Sequence, residues 1–166
     1  MRYNKAQIRY HWASVLLILI MAATGMAYRL ELADDGAMLI HQLTGQVLIV
    51  LLIVRIISRI AKRPAPNPHR GIATLAASAM HIALYLTLIA FVVTGYIGAS
   101  AELDNALIAP VSLSFARSDT GEWLLEIHYL MKWVLLVLVG GHIAAALKHH
   151  FWNRDSTLTD MSLKAR

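Results

Sequence analysis

The sequence predicts an all-α integral membrane protein, built as a bundle of four transmembrane helices. Of its 166 residues, 58% are hydrophobic and only 15% are charged, whereas soluble domains carry about 25% charged residues. The mean hydropathy is +0.57. The chain contains four apolar stretches, and each has the roughly 20 residues that a helix needs to cross a hydrocarbon core of about 30 Å.

Polar or proline-rich segments separate the four stretches. A short acidic turn, 29–36, joins the first two, and Pro64, Pro66 and Pro68 prevent a helix between the second and the third. The third connection, 100–121, is the longest, and its apolar residues predict that it folds against the rim of the bundle. The predicted single domain, 1–166, therefore has helices at about 8–28, 38–57, 74–99 and 122–148.

The positive charges predict the orientation. Lys and Arg are retained on the cytoplasmic side, and twelve of the fifteen lie at the two termini or around the second connection, the exceptions being Arg29, Arg117 and Lys132. We therefore expect cytoplasmic N- and C-termini. The first span also resembles a signal peptide, but its apolar run is longer than is usual for one.

Composition also excludes several kinds of chemistry. The formal net charge is +5 with an isoelectric point near 9.7, but topology accounts for the basic residues, so we expect no nucleic-acid partner. The absence of cysteine excludes disulfides, iron–sulfur clusters, thiolate zinc sites and covalently attached c-type haem. The eight histidines remain as the main chemical resource.

Five histidines lie in the predicted spans, where ionisable residues are usually functional. His128 and His142 are 14 residues apart on the fourth span. At 100° per residue they share one helix face, about 21 Å apart along the axis. His41 matches His128 in depth near the outer surface, and His11 matches His142 near the inner surface. Two stacked bis-histidine sites predict two b-type haems, with these four histidines as iron ligands.

The same 14-residue step links histidines of the other spans to small or charged residues. From His11 it reaches Gly25 and from His81 it reaches Gly95, where a small residue would let a porphyrin approach the backbone. From His41 the step reaches Arg55. Arg55 and Arg59 could each pair with a haem propionate, or their side chains could simply extend to the inner surface of the membrane. Gly45, one turn after His41, is a further position at which the helix has no side chain.

Several motifs together resemble the bacterial cytochrome b561 family of small di-haem, quinone-linked inner-membrane cytochromes. They are His11-Trp12, His41-x-x-x-Gly45, Arg55-Ile-Ile-Ser-Arg59, His81-x-x-x-Tyr85, and His128 with His142 and Ala146-Leu-Lys-His-His-Phe151. The resemblance covers nearly the whole chain. It implies haem ligation by histidines of the first, second and fourth helices, and electron exchange with ubiquinone. Some members are superoxide oxidases, and related haem-b anchors serve dehydrogenases or hydrogenases.

Three functional hypotheses follow. The first is a di-haem oxidoreductase between an outer donor and the quinone pool, with Lys132 and Arg29 attracting an anion such as superoxide. The second is a haem-b anchor or electron-transfer subunit that docks a peripheral redox partner protein through 100–121. The third is a divalent-metal transporter with paired histidines, which an interior almost free of carboxylates disfavours.

A quinone site is predicted in the inner layer. His81 is spare if the four other histidines bind both irons, and a neutral imidazole suits proton-coupled reduction. The alternative for His81 is a hydrogen bond to a neighbouring helix carbonyl. Further quinone or proton-relay candidates at that surface are His149, Arg9 and, on the first span, Ser14.

Overall fold

The structure is a computed structural model, and it describes residues 4–61, 71–100 and 111–163. Four of its helices are long and apolar enough to span a membrane, which confirms the predicted fold class. They are α1 (Lys5–Arg29), α2 (Asp35–Ala61), α3 (Ile72–Ser100) and α5 (Asp119–Lys148), with the short α4 (Leu113–Ala116) before the last. The predicted orientation of the termini remains a prediction.

The helices extend beyond their predicted limits because polar residues cap them. Asn4 accepts a hydrogen bond from the Ala6 amide and donates its own amide to the Gln7 side chain, which forms a capping box for α1. At the start of α5 the Ser118 hydroxyl accepts from the Gly121 amide at 3.3 Å. The apolar periodicity records only the lipid-facing part of each helix, so sequence reasoning missed these polar first turns.

The bundle consists of two helix pairs. α1 packs along α2 and α3 packs along α5, and the pairs meet mainly where α2 contacts α3. A small apolar core at this junction contains Leu48, Leu52, Val92 and Leu135. In the described part of the chain, α5 packs closely against neither α1 nor α2. Space therefore remains between the two pairs, and the histidines of α1 and α2 reach across it toward α5.

The second and third connections lie partly outside the described residues. The proline-rich connection, with His69 and three of the predicted cytoplasmic cations, falls in 62–70. Within the third connection, α4 contacts α3 and α5 and buries Ala116. This agrees with the expected packing of that connection against the bundle, for the residues after 110.

After α5 the chain returns toward α1. A π-helical turn, His149–Asn153, ends at Arg154 in a left-handed conformation with φ 51°. The following segment runs to a short 3₁₀ turn, Thr159–Met161. There the Trp12 indole donates to the Met161 carbonyl at 2.7 Å. We call 153–162 the C-terminal segment, and it covers the end of the bundle that holds His11.

Candidate functional site

The first group of predicted ligands, which we call the His41 layer, comprises His41, His128, Gly25 and Gly95. The imidazole centres of His41 on α2 and His128 on α5 lie 6.3 Å apart, with the ring planes at 90°. His128 is only 8% exposed. His41 and His128, which the sequence predicted to lie at the same depth, are therefore close together in the structure.

Each imidazole of this layer is held by a main-chain carbonyl. His41 Nδ1 lies 2.8 Å from the Met21 oxygen, and His128 Nδ1 lies 2.8 Å from the Phe91 oxygen. A carbonyl can only accept, so both Nδ1 atoms carry the proton, and a neutral ring then has its lone pair on Nε2. Metal-binding histidines are typically oriented in this way. The Phe91 ring also stacks on His128, with centroids 4.1 Å apart.

Gly25 and Gly95 lie at the predicted height, but each faces an imidazole. A Cβ added to Gly25 would lie 2.8 Å from His41 Nδ1, and one added to Gly95 would lie 2.6 Å from His128 Cε1. Gly45 faces the flexible end of Met21 at 3.2 Å. The first two glycines therefore give room to the histidine rings themselves, which the argument from porphyrin clearance did not anticipate.

Polar side chains that sequence reasoning missed line a cavity beside the His41 layer. Gln42, Gln46, Tyr96 and Tyr129 all face it, and Gln46 is only 4% exposed. Two glutamines four residues apart in an otherwise apolar span were the available signal. Of the two predicted steering cations, the Arg29 guanidinium lies 5.2 Å from the Tyr129 ring centre, at this cavity, and Lys132 lies over Trp133 at 5.3 Å.

The second group, which we call the His11 layer, comprises His11, His81 and His142 from three helices. The ring centre of His142 is 6.4 Å from that of His11 and 5.5 Å from that of His81. Sequence reasoning matched His142 with His11 and regarded His81 as spare. The structure brings all three rings together, because α3 and α5 form one helix pair.

Two arginines accompany the His11 layer. Arg55 Nη2 donates toward His11 Nδ1 at 3.4 Å, which places Arg55 at the predicted level. Arg55 and Arg59 both lie over the Tyr85 ring, at 5.6 and 5.8 Å from its centre. Tyr85 was missed as a partner, although it stands one turn after His81. A small cavity between these arginines, His11 and Met161 connects the layer to the C-terminal segment.

Ring spacing tests whether these histidines fit haem iron. Two imidazoles that bind one metal ion from opposite sides, with metal–nitrogen bonds of about 2 Å, have ring centres roughly 6.4 Å apart. The His41–His128 and His11–His142 pairs, at 6.3 and 6.4 Å, fit this geometry. His81 and His142, at 5.5 Å, are too close. The residues present thus fit two bis-imidazole haem sites with the predicted partners.

The remaining quinone candidates occupy different surroundings. Ser14 is 1% exposed, and its hydroxyl donates to the Tyr10 carbonyl at 2.8 Å. Arg9 is exposed on α1. His149 follows His142 by seven residues, about 10 Å further along the axis, where its Nδ1 contacts the Asp155 carboxylate at 2.5 Å. The structure therefore brings neither Ser14 nor His149 into the ring cluster of the His11 layer.

Asp155 has an altered acidity. Hydrogen bonds from Thr157, and then from His149, lower the pKa of its carboxyl from 3.8 to about 2. The Thr157 amide donates to Asp155 Oδ1 at 2.9 Å. The ionised carboxylate thus joins the end of α5 to the C-terminal segment.

Comparison with known proteins agrees with this geometry. The family described as prokaryotic cytochrome b561 matches residues 2–163. Cytochrome b561 homolog 2 of Escherichia coli strain K12 is 31% identical, over 96% of this chain and 90% of its own length. The protein of Yersinia pestis named "Probable superoxide oxidase CybB" is 30% identical, over 99% of this chain and 98% of its own length. The chain forms a helical membrane bundle with paired histidines, and the family model matches almost its whole length. The chain therefore belongs to the prokaryotic cytochrome b561 family.

Proposed function

We propose that the chain, which belongs to a family of membrane haem proteins with a role in electron transfer, binds two haem b groups. It moves electrons between a small donor at the end of the His41 layer and ubiquinone at the His11 layer. One observation carries the proposal: two imidazole pairs, at 6.3 and 6.4 Å, share α5 and so stack across the bundle. A bacterial inner membrane is the proposed location.

The protein's own residues orient and tune the two sites. When bound, haem supplies one-electron redox chemistry. His41 and His128 present Nε2 because their Nδ1 atoms donate to carbonyls. Arg55 and Arg59 place positive charge beside the His11 layer, where they can pair with carboxylates such as haem propionates.

The proposed donor is superoxide. Support comes from the name of the Yersinia pestis relative and from Arg29, which lies over the ring of Tyr129, one of the residues that line the cavity of the His41 layer. Each superoxide loses one electron and becomes dioxygen, while ubiquinone takes two electrons and two protons to become ubiquinol. Arg29 and Lys132 would raise the local concentration of the anion, an effect that added salt weakens.

The proposed quinone site is centred on His81. Its ring is 5.5 Å from His142, too close for opposite-side ligation of one iron, so this imidazole is left to donate a hydrogen bond to a quinone carbonyl. His149, nearer the membrane surface, is assigned to proton supply, and Arg9 only adds positive charge at that surface. Ser14 is the weakest candidate because its hydroxyl is buried and already donates.

The test uses purified protein in proteoliposomes with ubiquinone. We expect two low-spin haems per chain, superoxide consumption and ubiquinol formation in a ratio of two to one, without a partner protein. His81→Ala should keep both haems and slow reoxidation by ubiquinone, whereas His150→Ala, in the π-helical turn after α5, should leave the reoxidation unchanged. If quinone reduction required an added dehydrogenase, the result would favour a haem-b anchor subunit. A colourless protein would exclude both the oxidoreductase and the anchor subunit.

The transporter hypothesis gains no support from the structure. In the described part of the chain, no group of three or more His, Asp or Glu side chains could hold a metal ion. Paired histidines in an apolar interior suit haem iron, whose equatorial ligands come from the porphyrin.

A further inference from the structure

The same local arrangement occurs twice in the His41 layer, once in each helix pair. On α1, the Met21 carbonyl accepts from His41 of α2, and Gly25 follows Met21 by four residues. On α3, the Phe91 carbonyl accepts from His128 of α5, and Gly95 follows Phe91 by four residues. Each pair thus combines a carbonyl and a glycine at one helical turn with an imidazole from the neighbouring helix.

Helix geometry explains the spacing of four. The carbonyl of residue i already accepts from the amide of residue i+4, so a second donor must approach past that residue. With a Cβ at Gly25, His41 Nδ1 would be 2.8 Å away, and with a Cβ at Gly95, His128 Nδ1 would be 2.7 Å away. Ordinary contact is about 3.5 Å, so the imidazole would have to move away from the carbonyl and lose its hydrogen bond.

Another glycine in the same bundle gives a contrast. A Cβ on Gly140, two residues before His142, would meet nothing within 4 Å. Substitution there adds the same methyl group to α5 without touching an imidazole. At Gly25 and Gly95, by contrast, the methyl group would meet the imidazole that donates to the carbonyl four residues earlier.

We propose that Gly25 and Gly95 are positioning residues for His41 and His128: each exposes the carbonyl four residues earlier, which fixes the proton on Nδ1 and the orientation of the ring. The link to haem rests on the proposed function, in which Nε2 of both rings binds iron. Loss of such orienting hydrogen bonds typically weakens metal binding roughly 10- to 100-fold. The two glycines act through the histidines and make no bond to the cofactor.

The first experiment measures haem release to excess apomyoglobin from the unaltered protein, Gly25→Ala, Gly95→Ala and the control Gly140→Ala. We expect two release phases in the unaltered protein. Gly25→Ala and Gly95→Ala should each accelerate one and the same phase roughly 10- to 100-fold, and Gly140→Ala should change neither. Unchanged release in both test variants, with two haems bound, would overturn the proposal and leave the proposed function intact.

The second experiment observes the hydrogen bonds directly, by nuclear magnetic resonance of reduced, ¹⁵N-histidine-labelled protein. We expect the Nδ1–H signals of His41 and His128 to be protected from solvent exchange. The first should be lost in Gly25→Ala, the second in Gly95→Ala, and both should be kept in Gly140→Ala. If a variant fails to fold, the unaltered protein still decides, because absence of protected Nδ1–H signals would overturn the proposal. Fewer than two haems would refute the proposed function, while these signals would still test the two glycines.

Discussion

The two histidine layers hold their imidazoles by different means. In the His41 layer both rings donate from Nδ1 to main-chain carbonyls. In the His11 layer, His11 Nδ1 accepts from the Arg55 guanidinium, so a neutral His11 ring has its proton on Nε2, the atom that iron would need. In the His41 layer both rings already have the tautomer that binds a metal through Nε2. In the His11 layer, His11 must first lose the hydrogen bond from Arg55 before it can adopt that tautomer.

The difference shows how one four-helix bundle can give two chemically similar sites different properties. A helix carbonyl is fixed by the backbone, so the His41 layer is organised before any cofactor binds. A guanidinium on a flexible stem can leave His11 and pair with a carboxylate, so the His11 layer adjusts on binding. It also gains positive charge from Arg55 and Arg59, both over Tyr85.

The largest expected effect is the loss of one haem when either histidine of α5, the helix that the two layers share, is replaced. His128→Ala should lose the haem of the His41 layer, and His142→Ala that of the His11 layer, because each removes one of two axial ligands. In each case the pyridine haemochrome assay should fall from two haems to about one per chain. His150→Ala, in the π-helical turn that follows α5 and outside both layers, is the matched control. A His142→Ala protein with two haems would break the comparison.

A second prediction concerns the order of filling. Under haem limitation, a chain with one haem should carry it in the His41 layer, because that layer needs no rearrangement. The preference should be roughly 10-fold or more, the range seen when orienting bonds are removed from metal ligands. Spectra of haem-starved protein, compared with those of His128→Ala and His142→Ala, give the occupancy. Preferential filling of the His11 layer would show that prior organisation does not determine affinity here.

The sequence alone predicted the spans and the depth of the paired histidines. Apolar length defines a membrane helix, and 14 residues on one helix fix both a height and a face, so His128 and His142 could be assigned with their partners. The ends of the helices could not be predicted, because capping by Asn4 and Ser118 lies outside the apolar pattern.

Contacts between helices were beyond sequence reasoning. Every residue has a carbonyl, so nothing in the sequence marks Met21 or Phe91 as the acceptor for a histidine. The height of Gly25 and Gly95 was predicted, but the imidazoles that they face were not. Nor does helical periodicity fix the rotation of α3 relative to α5, on which the 5.5 Å approach of His81 to His142 depends. The return of Met161 to Trp12 carries no periodic signal at all.

A third prediction tests the charge difference. Arg55→Gln should lower the midpoint potential of the His11-layer haem, since a nearby cation stabilises the reduced form, which carries one more electron. The shift should be on the order of tens of millivolts. The haem of the His41 layer, about 21 Å away along α5, should not change. Spectroelectrochemical titration measures both, with Arg29→Gln as the control at the opposite end. Equal shifts of the two haems after Arg55→Gln would mean that the charge does not distinguish the layers.

The smallest expected effect concerns the C-terminal segment, which lies beside the His11 layer. The pKa of Asp155 is lowered to about 2, so the ionised carboxylate favours the folded segment. That stabilisation is complete above the ordinary value of 3.8 and is lost as the pH falls through about 2. At neutral pH, Asp155→Asn should therefore accelerate amide exchange in the segment only slightly, because the carboxylate is fully exposed and screened by water.

Hydrogen exchange measured by mass spectrometry is the readout, with Asp35→Asn at the start of α2 as the control. In the unaltered protein the contribution of Asp155 to the exchange rate of the segment should not change between pH 7 and pH 5, since its carboxyl stays ionised throughout that range. Met161 lines the cavity beside His11, so loosening this segment should also admit water to the His11 layer and leave the His41 layer unchanged. If Asp155→Asn altered the spectrum of the His41-layer haem as much as that of the His11 layer, the C-terminal segment would not belong to one end of the bundle.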